Sequence, residues 1–305
     1  MKRRTINAVI SKKFDEWLET ITDESVKSLV KDNTIATGGC IVSMLLNEKP
    51  NDFDFYFRNR ETALAVASHY VDRFKAATGN DKEKGECQSI FVEALEDRIA
   101  IKVKSAGVAS EDGDEGYEYF ESQEDKNKMV EFVGRVMDAK EPEQTEEDKK
   151  PKYRPKFLSR NAISLSHGVQ LIVRFYGEPD QIHENYDYVH CTNYWTSWER
   201  AVTLRAEALE AIVTKELRYV GSKYPLCSLF RLKKFVERGW RVNAGQILKI
   251  AMNLQEFNLN DLAVLEEQLT GCDVAYFLEI VAKLREKNPD TVDGSYLAEL
   301  IEKIF

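Results

Sequence analysis

The 305-residue sequence lacks the features that would place it in a membrane or in an oxidising compartment. Its longest apolar runs, such as residues 40–46, are far too short to span a bilayer. The five cysteines are scattered and form no Cys-x-x-Cys pair, which argues against a disulfide framework or a zinc knuckle. No apolar stretch follows the basic residues 1–4, so we expect no secretory signal. These absences predict a cytoplasmic protein that does not bind a membrane.

An overall excess of positive charge is also absent. The net charge of −9 and the pI of about 5.3 disfavour a dedicated nucleic-acid binder. The charge is unevenly distributed, however. Residues 110–125 contain eight acidic side chains and no basic one, whereas residues 214–249 contain nine basic side chains and two acidic ones. The net charge therefore hides a basic segment that could meet phosphate groups.

The order of hydrophobic patterns predicts an α+β fold in which a mixed α/β half precedes an all-α half. We place a first domain at residues 1–197, with an acidic insertion at about 108–156, and a helical domain at 198–305. Periodicity predicts helices at 6–30, 40–47 and 61–77, and again from 198 onward. It predicts strands at 34–37, 52–57, 89–93, 99–104, 161–166, 169–175 and 186–191.

A glycine pair followed by two alternating aspartates is the most informative motif. Gly38-Gly39 lies at the start of a predicted helix, where glycine lets the backbone approach a triphosphate and free N–H groups favour phosphate. Asp52 and Asp54 lie two apart on a predicted strand, so both carboxylates point to the same side. Paired carboxylates form a hard oxygen site for Mg²⁺, and a two-metal site would activate an attacking hydroxyl and stabilise the leaving pyrophosphate.

This arrangement resembles the polymerase-β-like nucleotidyltransferase superfamily. It is most similar to the head of tRNA nucleotidyltransferases (CCA-adding enzymes) and of bacterial poly(A) polymerase-type enzymes. The resemblance covers residues 34–57, and this chain has Val42-Ser43 where those enzymes usually carry an Arg-Asp pair. It implies a mixed sheet with flanking helices, template-independent nucleotidyl transfer, and a nucleoside triphosphate as substrate.

The superfamily often supplies a third metal-binding carboxylate from a later strand. Asp187 is our candidate, because it lies between aromatic residues in a predicted strand. Asp97 competes with it, since it is nearer in sequence and adjoins a strand, but it occupies a turn-like segment. We predict Asp52, Asp54 and Asp187 as catalytic and metal-binding residues.

Two basic residues of the later helical half extend the predicted nucleotide site. CCA-adding enzymes have a basic helix that ends in a glycine-aromatic pair and packs behind the nucleotide, and residues 224–240 resemble it. Arg231 and Lys234 are three residues apart and share a helix face. We therefore predict that they bind the triphosphate together with Gly38 and Gly39. A solvated helix face is an equal alternative for both.

Three functions follow from these motifs. The first is metal-dependent transfer of a nucleoside monophosphate from a triphosphate to a hydroxyl, with an RNA or tRNA 3′ end as the favoured acceptor. The second is the same chemistry on a protein, a small molecule or a second nucleotide, which suits the acidic net charge. The third is a catalytically inactive binding module, because the Arg-Asp pair is missing.

Overall fold

The computed structural model describes residues 1–78, 89–95, 98–104, 152–158, 161–259 and 261–269. The acidic insertion predicted at about 108–156 lies outside these residues, apart from its last five. Among those five, Tyr153 is buried and a strand begins at Pro155, so the sheet resumes slightly before the predicted end. No helix within the described ranges is long and apolar enough to cross a membrane.

Helices account for much of both halves of the described chain. They are Arg3–Leu18 (α1), Glu24–Asn33 (α2), Gly39–Leu45 (α3), Arg60–Thr78 (α4), Pro179–His183 (α5), Ala206–Thr214 (α6), Pro225–Glu237 (α7), Ala244–Leu254 (α8) and Leu262–Leu269 (α9). A short 3-10 helix spans Val189–Cys191.

Seven strands form one mixed sheet, and two more form a separate hairpin. The strands are Thr34–Thr37 (β1), Phe53–Phe57 (β2), Ser89–Ala94 (β3), Ile99–Lys104 (β4), Pro155–Leu158 (β5), Ala162–Leu165 (β6), Val169–Tyr176 (β7), Tyr194–Thr196 (β8) and Ala201–Thr203 (β9). The sheet order is β5-β6-β7-β2-β1-β8-β9, and β3 pairs with β4. The β2–β7 pair is parallel and the other neighbours are antiparallel. The predicted α+β class is thereby confirmed.

Three local predictions were wrong. The helix predicted over 6–30 is two helices, because the Asp23 side chain caps a new helix by accepting from the backbone N–H groups of Ser25 and Val26. The segment 186–191, predicted to be a strand, is not one: Tyr188 forms only an isolated bridge with Tyr219, and a 3-10 helix spans Val189–Cys191. The region predicted to be helical from 198 begins instead with strand β9, which extends the sheet.

The described chain divides into two compact units. The first comprises the described residues up to Glu184 together with Cys191–Ala208, and it contains the whole sheet. Its core combines aliphatic and aromatic side chains: Trp17 stacks on Phe55 at 5.1 Å between ring centroids, and the Trp17 indole N–H donates to the Tyr70 hydroxyl at 2.8 Å. The second unit comprises Asn185–His190 and the described residues from Leu209 onward, and it contains helices α7, α8 and α9.

Candidate active site

Strand pairing brings the glycine pair next to the two aspartates. Strands β1 and β2 are antiparallel, and their register sets Thr37 directly opposite Asp54. Residues paired in this way have Cα atoms about 4.5–5.5 Å apart. Gly38 follows Thr37 directly, so the turn into helix α3 begins beside the Asp54 carboxylate, although 16 positions separate the two in sequence. The predicted juxtaposition of glycines and carboxylates is therefore present in the first unit.

The two glycines have different structural tasks. Gly38 is buried and has φ of 90°, a left-handed conformation that favours glycine, and its N–H donates to the Cys191 carbonyl at 3.2 Å. Gly39 is exposed and begins helix α3, and a Cβ built on it would meet no atom of the described residues within 4 Å. The helix has no side-chain cap at Gly38. The described residues thus leave space for a ligand at its first turn.

Asp54 lies on the solvent side of strand β2, whereas Asp52 directly precedes the strand, which begins at Phe53 rather than at the predicted residue 52. Asp52 is exposed and Asp54 is half-buried, whereas Phe53 and Phe55 point into the core. Burial raises the pKa of the Cys40 thiol, and the negative charges of Asp54 and Asp52 raise the pKa further. Since Cys40 lies in the first turn of α3, both carboxylates are within electrostatic range of the turn that follows the glycines.

A second glycine turn, which the sequence did not reveal, supports the backbone before Asp52. Gly168 has φ of 64° at the turn from β6 into β7, and its carbonyl accepts from the Phe53 N–H at 2.9 Å. A Cβ on Gly168 would lie 2.9 Å from the carbonyl oxygen of Asn51 and 3.7 Å from the Cα of Asp52. The contact joins positions more than a hundred residues apart, so only the sheet topology identifies Gly168 as a positioning residue.

Replacing Gly168 with alanine should displace the Asn51–Asp52 backbone. Both the positive φ and the short contact with a backbone oxygen oppose a side chain, so we expect a loss of about 1–3 kcal/mol in the free energy of unfolding. Any metal-dependent activity should also require a higher Mg²⁺ concentration. Gly239→Ala is the matched control, because Gly239 has φ of 80° but open space around its Cβ position. Equal Mg²⁺ requirements in the two variants would contradict the positioning role.

Buried polar groups hold the strand end that precedes the glycine turn. The Thr37 hydroxyl donates to the Asn193 carbonyl at 2.9 Å, and His183 Nε2 lies 2.8 Å from the same hydroxyl oxygen. Because a hydroxyl has one proton, His183 is the donor to Thr37, which fixes its Nε2–H tautomer. Burial lowers the pKa of His183 to about 4, and the positive charge of Arg205 contributes. Arg205 in turn pairs with Asp180 on helix α5.

The open space at Gly39 gives a specific test of nucleotide binding. Alanine at this position should leave the fold intact, or stabilise it by up to about 1 kcal/mol, because the site is helical and unobstructed. The added methyl group would occupy the space required by a phosphate, so nucleoside triphosphate affinity should fall by about tenfold or more in calorimetry. Gly245→Ala, also in the first turn of a helix, should keep the affinity. Unchanged affinity in Gly39→Ala would place the phosphates elsewhere.

The remaining predicted site residues lie in the second unit, where two of them pair with each other. Arg231 Nη1 donates to the Asp187 carboxylate at 2.6 Å, and Asp187 is only 7% exposed. Asp187 lies in a segment that is neither helix nor strand, and its backbone carbonyl accepts from the Val220 N–H at 3.0 Å. Lys234 is exposed on helix α7, and Asp97 lies outside the described residues. The metal role of Asp187 and the triphosphate role of Arg231 and Lys234 stay predictions.

The donor set of the first unit suits one hard cation. Mg²⁺ is commonly held by one or two carboxylates and completes its octahedron with water and substrate phosphates. Asp52 and Asp54 provide such a pair on an accessible strand end. Within the described part of the chain, no group of three or more His, Cys, Asp or Glu side chains could hold a metal ion.

Comparisons with known proteins identify a family and a set of similar structures. A model of the Gabija anti-defense 2 (Gad2) family matches residues 8–215, which include both glycines and both strand aspartates. No curated protein matches the sequence.

Several similar solved structures are CCA-adding enzymes. The Thermotoga maritima enzyme complexed with tRNA_CCA is 10% identical, with 89% of this chain and 53% of that chain covered and a TM-score of 0.38. A CCA-adding enzyme in an apo form is 9% identical, with 92% and 51% covered and a TM-score of 0.42. The Bacillus stearothermophilus enzyme in complex with CTP is 11% identical, with 83% and 48% covered and a TM-score of 0.32. The chain spans about half the length of each.

Proposed function

The chain belongs to the Gabija anti-defense 2 family, and we propose that it counters Gabija defence through a nucleotidyltransferase site at Gly38-Gly39, Asp52 and Asp54. The observation that carries the proposal is the β1–β2 register, which sets Thr37 opposite Asp54 and so joins the glycine turn to the carboxylates. A phosphate-binding turn beside a hard oxygen site is what a metal-bound triphosphate requires.

The proposed reaction is transfer of a nucleoside monophosphate to a hydroxyl. The acceptor hydroxyl loses its proton to solvent, its oxygen forms a bond to the α-phosphorus, the bond from that phosphorus to the bridging oxygen breaks, and pyrophosphate leaves. Catalysis would consist of positioning and charge neutralisation. The turn at Gly38, whose own N–H is bonded to the Cys191 carbonyl, would direct the backbone N–H groups from Gly39 onward at the phosphates. Asp54, beside this turn, would help to position the α-phosphate. Mg²⁺ held by Asp52 and Asp54 would neutralise the negative charge on the phosphate oxygens.

The acceptor is proposed at the level of chemical class. An RNA 3′ end, such as that of tRNA, is supported by the nine basic side chains of residues 214–249. A protein, a small molecule or a second nucleotide is supported by the net charge of −9, which weakens attraction to RNA. The purified protein should be incubated with Mg²⁺ and each α-labelled nucleoside triphosphate, alone, with total RNA, or with Gabija proteins. Label that migrates with RNA, with a protein or as a new nucleotide would identify the acceptor.

A second candidate function is inhibition of Gabija by binding alone. It is favoured by Val42 and Ser43, which are 4% and 8% exposed and occupy the place of the usual Arg-Asp pair. Protection of cells against Gabija separates the two functions. The enzymatic proposal expects label incorporation by the wild-type protein, together with loss of protection when incorporation is abolished. Full protection without any incorporation, at every nucleotide and acceptor tested, would establish the binding function instead.

A further inference from the structure

Helix α8 exposes a continuous aliphatic stripe on the second unit. Leu248 is 60% exposed, Met252 59% and Ile247 45%, and Ala244 continues the i, i+4 row that contains Leu248 and Met252. Only Ile250 of this helix is fully buried. Single exposed aliphatic side chains are ordinary, but a row along three helical turns is typical of a contact surface.

The inner side of the same helix is held by polar contacts that do not involve the stripe. The Asn243 side chain caps α8 by accepting from the Gln246 N–H at 3.1 Å, and the Gln246 side chain accepts from the Tyr219 N–H at 2.8 Å. The Tyr219 hydroxyl donates to the Asn253 side chain at 2.6 Å. Because these contacts anchor the helix, the exposed stripe is not required to fold it, and it is free for another role.

Basic charge predominates around the stripe, although two acidic side chains, Glu216 and Glu256, accept hydrogen bonds from Asn243 and Asn253 at the two ends of the helix. Residues 225–254, which form α7, α8 and their connection, contain six basic side chains and a single acidic one, in a chain whose net charge is −9. Lys249 is exposed on α8 itself, and Arg241 is exposed just before the helix begins. An aliphatic row within a basic surrounding is complementary to an apolar groove with an acidic rim.

We propose that the α8 stripe, formed by Ala244, Ile247, Leu248, Ala251 and Met252, is a docking surface for an acidic, apolar-grooved face of a Gabija defence protein. A protein is favoured over RNA because the exposed row is aliphatic, whereas unpaired bases stack on aromatic side chains. The large aromatic residue of the connection, Trp240, is 3% exposed and unavailable for stacking. The inference rests on the proposed anti-defence role but not on the proposed nucleotide chemistry.

The test compares affinities for purified, immobilised Gabija proteins. The double variant Leu248→Gln/Met252→Gln should lose about tenfold or more in affinity, because both changes remove apolar anchors without altering charge. Lys249→Glu should also weaken binding, and raised salt should weaken the wild-type complex. The matched control is Val213→Gln, since Val213 is an 83% exposed aliphatic residue on helix α6; it should bind as the wild type does.

Other results would overturn the docking surface. No binding by the wild-type chain, equal binding by the double variant, or equal losses in the double variant and Val213→Gln would each do so. Self-association in light scattering that the double variant abolishes would assign the stripe to a second copy. Loss of RNA binding with intact Gabija binding would assign the surface to RNA. Failure of the wild-type chain to protect cells would refute the anti-defence role itself, which is a separate readout.

Discussion

Asp54→Asn should reduce incorporation of labelled nucleotide by about 10³-fold or more, because it would remove the proposed anionic metal ligand, and such a ligand contributes several kcal/mol to transition-state stabilisation. The substitution keeps the size of the side chain, and Asp54 is half-buried at a strand whose neighbours are hydrogen-bonded on both sides. The thermal midpoint should therefore change little. Incorporation at several Mg²⁺ concentrations, with thermal unfolding of the same preparations, measures both quantities.

Two further variants make the result specific. Asp52→Asn should also reduce incorporation strongly, since Asp52 directly precedes the strand and its carboxylate, like that of Asp54, acts on the Cys40 thiol in the first turn of α3. Asp32→Asn, an exposed aspartate near the end of helix α2, should keep wild-type activity. Incorporation that persists in both Asp52→Asn and Asp54→Asn would refute the active site. Loss of incorporation with full protection against Gabija would instead separate the enzymatic activity from the anti-defence role.

The part of the fold that could be predicted is the part determined by local pattern. Strand β1, helix α3 and strand β2 follow from the glycine pair, a short apolar run and the acid–aromatic alternation, all within 24 consecutive residues of the sequence. The side of the strand that carries each aspartate also follows, because the alternation of a strand has a period of two. The pairing of Thr37 with Asp54 also requires that the two strands pair antiparallel in one particular register, which the structure shows.

The same reasoning failed where an alternating pattern serves packing between elements. Residues 186–191 alternate polar and apolar side chains as a strand does. Tyr188, however, is buried in contacts with later residues: its hydroxyl donates to the Ser228 carbonyl at 2.8 Å, and its ring lies 5.6 Å from that of Phe235. A 3-10 helix begins at the next residue. Contacts with helix α7, which follows some 35 residues later, override the local preference. Asp187 therefore belongs to an ion pair with Arg231 rather than to a strand.

The supports of the site could not be predicted, because they are long-range. Gly168 comes close to the backbone before Asp52 because strand β7 lies beside β2 in the sheet. His183, which follows β7, contacts the Thr37 hydroxyl at the end of β1. In sequence, Gly168 belongs to an ordinary turn and His183 to a short polar helix. Their roles come from sheet order, which hydrophobic periodicity does not specify.

Acidification should destabilise the protein between pH 6.5 and about 4, through two histidines that are buried in their neutral form. Burial is the main cause that lowers the pKa of His183 to about 4, and it does the same for His190, which lies among the rings of Phe235 and Trp240. The unfolded chain takes up a proton near pH 6.5, whereas the folded chain resists until about pH 4. The contribution of the two histidines to the free energy of unfolding should thus be fully present above pH 6.5. It should fall as the pH decreases, by up to about 3 kcal/mol for each histidine.

Single variants assign the two contributions. His183→Gln and His190→Gln should each be less stable than the wild type at pH 7, but each should show a smaller loss between pH 7 and pH 4, because one group no longer binds a proton preferentially in the unfolded state. Denaturant unfolding at half-unit pH steps measures how steeply the free energy of unfolding of each variant changes with pH. A variant slope equal to that of the wild type would show that the replaced histidine is not protected from protonation. His183→Gln should additionally weaken nucleotide binding at pH 7, since the hydrogen bond that fixes Thr37 beside the glycine turn is altered, whereas His190→Gln should leave nucleotide binding unchanged.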